Sequence, residues 1–79
     1  MNINAIRAEE RHRKIVEILA TIKKAFENGL ELNFEALINQ ACFQQRIARR
    51  TAMEYINIAL SQVEHKIEGK GKNKLIIKI

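Results

Sequence analysis

No unbroken apolar run in this chain exceeds three residues, Leu75 to Ile77 being one, so nothing approaches the roughly twenty apolar residues that a bilayer crossing needs. A transmembrane role is excluded on that reading. Cysteine is nearly absent: Cys42 stands alone, cannot form an internal disulfide, and lies far from His12 and His65, so no zinc-ligand spacing exists. Cys42 is expected to act as a small buried hydrophobe. No carboxylate pair, glycine-rich phosphate loop or nucleophile–base pattern is present, which leaves no candidate catalytic residue, metal or cofactor and argues against an enzyme. Proline is missing altogether. The three glycines, Gly29, Gly69 and Gly71, each fall where the hydrophobic pattern changes. The first twenty residues carry Arg7, Glu9, Glu10, Arg11, Arg13 and Lys14 where a secretory signal needs an apolar stretch, so a cytoplasmic location is expected.

Seventy-nine residues make one domain with one small core. Charge is unevenly spread along it. Through Gln40, six basic residues face six acidic ones; from Ala41 onward, eight basic residues face three acidic ones. The whole +5 excess therefore belongs to the second half, which points to a polyanionic partner.

Apolar spacing divides the chain into helices and a hairpin. Ile15, Ile18, Leu19, Ile22 and Phe26 form the stripe of a first helix that Gly29 closes. Residues 1–10 do not continue that stripe and are expected to form an arm or a helix extension, ahead of a domain over 11–79. Leu30, Glu31 and Leu32 alternate as a brief strand would, and Asn33 is placed to cap a second helix with Phe34, Leu37, Ile38, Ala41 and Cys42 inward. Residues 34–64 contain neither glycine nor proline. One continuous helix would nevertheless leave Phe43 and Ile47 facing solvent, so a turn near 44–48 is expected to bring both inward. The third helix then starts near Ala48 without a good cap and buries Ala52, Tyr55, Ile56, Ala59 and Val63. His65 is expected at its C-terminus, where the helix dipole favours it. Lys66 to Glu68 and Lys74 to Ile79 alternate around a glycine-rich turn, predicting a hairpin with Leu75, Ile77, Ile79 and Ile67 inward.

The run Ile47, Ala48, Arg49, Arg50, Thr51, Ala52, Met53, Glu54, Tyr55, Ile56, followed by strand, glycine–lysine loop and strand, resembles small winged helix-turn-helix DNA-binding regulators of archaeal or archaeal-virus type. The likeness covers roughly residues 15–79. It implies a mainly α fold with a small β-hairpin (α+β), namely three helices plus a C-terminal wing, with a recognition helix over about 48–62. It departs from that pattern where Ala48 replaces a serine or threonine cap and where Cys42 to Arg46 lacks a turn glycine.

The chemistry of the residues suits duplex DNA. Arg50, Met53 and Asn57 would face the major groove, where arginine reads guanine, asparagine reads adenine and methionine touches a thymine methyl. Arg46 and Arg49 would flank them or meet phosphates. Glu54 would either accept from cytosine or remain a surface charge. Lys70, Lys72 and Lys74, in a wing over 69–74, would meet phosphates or the minor groove. The expected activity is sequence-specific double-stranded DNA binding in transcriptional regulation. A winged-helix protein-interaction module and a long-helix coiled coil over 34–64 are the alternatives. A homodimer through the N-terminal segment and helix one is expected from the small core and from the unused Ile3 and Ile6.

Overall fold

The computed structural model describes the backbone of residues 3–79 and the side chains of residues 8–79. Helix α1 spans Ile3–Glu27, so residues 3–10 continue the helix. At 1.5 Å per residue it is about 37 Å long, and it accounts for most of the molecule's 44 Å long dimension. Its end is a Schellman motif. Gly29 adopts φ 68°, its N–H donates to Phe26 O at 3.0 Å, and the Leu30 N–H donates to Ala25 O at 2.9 Å.

Strand β1, Leu32–Asn33, leads directly into helix α2, Phe34–Gln45. Asn33 caps α2 by accepting from the Ala36 N–H at 2.9 Å. Helix α3 covers Arg49–Leu60 and, as Ala48 foretells, has no side-chain cap. Strands β2, His65–Glu68, and β3, Leu75–Lys78, close the chain. The sheet is antiparallel in the order β1-β3-β2, with Leu32 and Ile67 both opposite Ile76. Three helices and a terminal ribbon in this order make a winged helix-turn-helix layout, with a third short strand added to the expected hairpin.

Ile18, Ile22 and Phe26 of α1, Leu37, Ile38 and Ala41 of α2, Ala52, Ile56, Ala59 and Leu60 of α3, and Ile76 of β3 form the core. Each helix contributes the face its spacing predicted. Leu60, absent from the predicted stripe, joins because α3 ends there and its last turn lies against the body.

Several local expectations are corrected. In β3 the buried residue is Ile76, fully enclosed, while Leu75 and Ile77 are half-buried and Ile79 is 71% exposed. Pairing with β1 sets this: opposing residues share a sheet face, so Leu32 against Ile76 turns that face inward. Ile67 shares it but stays largely exposed on the edge strand. Phe43 does not turn inward and is 87% exposed, because α2 runs on to Gln45 and the break comes after it. Ile47, beyond the break, does pack against the core. Val63 also packs there, but from beyond the end of α3. Cys42 is half-buried at the core's edge. His65 opens β2 instead of ending α3, with Nδ1 2.9 Å from the Val63 carbonyl.

Candidate nucleic-acid interface

Arg46, Ile47 and Ala48 separate α2 from α3, and Arg46 occupies the left-handed region at φ 52°, ψ 49°. Among the described residues it is the only non-glycine with positive φ. The turn glycine missing between Cys42 and Arg46 is thus replaced by an arginine held in a conformation that suits glycine better.

On α3, Arg50, Met53 and Asn57 follow at three- and four-residue spacing and all lie exposed, with the Arg50 side chain 93% accessible. Glu54 stands 3.9 Å from Arg50 as a loose i,i+4 pair in solvent. Such a pair restrains Arg50 little. Tyr55, on the other side of α3, packs against the core with the Arg11 guanidinium 6.0 Å from its ring centroid.

Arg49 is engaged more firmly. Its Nη1 and Nη2 meet Glu35 Oε1 and Oε2 at 2.5 and 2.6 Å, a two-bonded fork joining the first turns of α3 and α2. Hydrogen bonding and the charge of Arg49 hold the Glu35 carboxyl below its ordinary value, with a smaller contribution from Lys72. The same fork raises the Arg49 guanidinium. Sequence reasoning missed Glu35, since a partner fourteen residues away across a turn leaves no periodic signal. An acidic residue in a helix's first turn is a common dipole partner and suggests nothing more.

The wing is anchored at the same place. A 3-10 turn, Gly71–Asn73, forms its tip. Gly69 has φ 92°, and a Cβ there would lie 2.5 Å from the Asn73 carbonyl oxygen, so the tight turn requires glycine. Asn33, already capping α2, donates from Nδ2 to Lys72 O at 3.2 Å, and the Phe34 N–H donates to Lys74 O at 2.9 Å. Lys70, Lys72 and Lys74 are exposed, and none forms an ion pair among the described residues. The start of α2 therefore carries both the wing and the first turn of α3. No match to this chain emerges among protein-family models, curated proteins or solved structures.

No group of three histidine, cysteine, aspartate or glutamate side chains is placed to hold a metal ion among the described residues. No described helix is long and apolar enough to cross a membrane.

Proposed function

We propose that this chain is a sequence-specific double-stranded DNA-binding protein that regulates transcription, with α3 in the major groove and the 69–74 wing on phosphates or the minor groove. The observation that supports this most is the meeting at the start of α2: Arg49 from α3 bonds to Glu35, and the wing is held beside it by Asn33 on Lys72 O and by the Phe34 N–H on Lys74 O. Cations from two elements distant in sequence thus belong to one surface, as duplex binding needs. Arg46 adds to this, because a left-handed arginine where glycine is cheaper is a strain worth keeping when the charge is used. Arg50, Met53 and Asn57 supply base-reading groups, and Arg46, Lys70 and Lys74 supply phosphate contacts.

Binding to duplex DNA measured against salt tests the proposal. With about five phosphates neutralised, the log–log slope is expected near minus four to minus five. Lys70→Ala/Lys72→Ala flattens that slope across all sequences, whereas Arg50→Ala lowers affinity most on the preferred site. Unchanged binding in both variants selects instead the protein-interaction module, a reading that one feature, the exposed Phe43, favours. A homodimer through the N-terminal segment and α1 belongs to the same proposal. The side chains of Ile3 and Ile6, on which it was expected to rest, lie outside the described residues.

A further inference from the structure

Helix α2 carries a single charged residue, Glu35, whose side chain is 24% exposed. Its exposed residues are Ala36, Asn39, Gln40, Phe43 and Gln44, and Glu35 is half-buried and bonded to Arg49. In a chain with 29% charged residues this is unusual: the exposed residues of α1 include Glu9, Glu10, Arg13, Lys23 and Lys24, and those of α3 include Arg50 and Glu54. Phe43 projects from the last turn of α2 within this strip and, among the described residues, is the most exposed of the large hydrophobic side chains. Charge depletion around a protruding aromatic is the composition found at the centre of protein interfaces, not on ordinary solvated surface.

We propose that the outer face of α2 is a contact surface for a second copy of this chain, with Phe43 at its centre. Charge selects this occupant. Each copy carries +5, so two copies repel over most of their surfaces and approach most readily where neither presents charge. The α2 face meets that condition on both sides at once, as a two-fold contact requires. Asn39, Gln40 and Gln44 each donate and accept, so the face is complementary to itself. An acidic partner would instead be drawn to the arginines and lysines.

Phe43 lies about 80° around the helix from Glu35, at 100° per residue. Gln40 and Gln44 border Glu17 and Thr21 of α1, so the contact is centred on Phe43 and Asn39 of α2, and it stands whether or not the chain binds DNA. One helix face offers about half of the roughly 800 Å² per partner of a standard interface, so the association is weak and reversible.

Amide spectra of the full chain without DNA, recorded from millimolar down to micromolar concentration alongside sedimentation, test the proposal. Concentration-dependent shifts are expected over residues 36–44, together with a rise in average mass. Phe43→Glu, at a position that touches mainly solvent, keeps the helix content and weakens self-association at least tenfold. Asn39→Asp keeps the shape of the face while adding one negative charge per copy, and lowers it by a smaller factor. Spectra that do not change with concentration overturn the proposal, as do shifts confined to α1 or undiminished association in both variants.

Discussion

Glu35 holds Arg49 in a two-bonded fork, so one of the two arginines opening α3 is already partnered inside the molecule. Arg49 and Arg50 are adjacent in sequence, yet their situations differ. Arg50 extends into solvent with only a loose contact to Glu54, whereas Arg49 can meet a further partner only by leaving or sharing its carboxylate. Glu35 thus ties α3 to α2 while lowering the positive charge of the surface around Arg49.

Replacing Glu35 by glutamine should release Arg49. Non-specific duplex affinity is expected to rise, and the salt slope to steepen by about one unit as one more phosphate is neutralised. The Glu35→Gln, Arg49→Ala and double variants form a cycle that measures the coupling. Identical salt slopes for the wild type and Glu35→Gln would show that breaking the fork adds no phosphate contact.

Acid should weaken the same link. The Glu35 pKa is lower in the folded chain than its ordinary value of 4.5, so its contribution to stability is complete above that value. It fades as pH falls through the lower folded value. Chemical denaturation across pH 6 to 2, using Glu35→Gln as reference, should show the difference between the two proteins closing only at the acid end. A difference that closes near neutrality would contradict this assignment.

Arg46→Gly should separate stability from binding. Glycine accepts φ 52° without steric cost, so the variant is expected to be more stable by about 0.5–1 kcal/mol, the scale of left-handed strain less glycine's unfolded-state entropy. Duplex affinity should fall, because a cation beside α3 is lost. A variant that is both more stable and equally tight on DNA would remove Arg46 from the interface.

The inward face of β3 has a direct check. Ile76→Ala empties a fully buried position and should cost about 2–5 kcal/mol in urea unfolding, while Ile79→Ala should change stability by less than about 0.5 kcal/mol. The reverse order of effects would restore the face that simple alternation suggested.

Much of the fold was legible from residue spacing. Apolar residues at three- and four-residue intervals marked the three helices, Asn33 announced its own cap, and Gly29 and the Gly69–Gly71 pair marked the end of α1 and the wing. These are local matters, set within one or two turns by side-chain and backbone stereochemistry. The exposed residues of α3 and the wing were legible for the same reason: Arg50, Met53, Asn57, Lys70, Lys72 and Lys74 all lie on the surface.

Pairing across the chain decided the rest. Leu75, Ile76 and Ile77 are all apolar, and alternation with Ile79 pointed to the wrong face; the short strand β1, opposite Leu75 and Ile76, made the choice. The turn expected near 44–48 is there, at Arg46–Ala48, but Phe43 stayed on the outer face of α2 because it was Arg46, beyond it, that took the left-handed conformation, which residue identity does not announce for arginine. Arg49 found Glu35 only once α2 and α3 were folded against each other. Periodicity records which face of a single element is apolar, but not which partner a neighbouring element will bring to it.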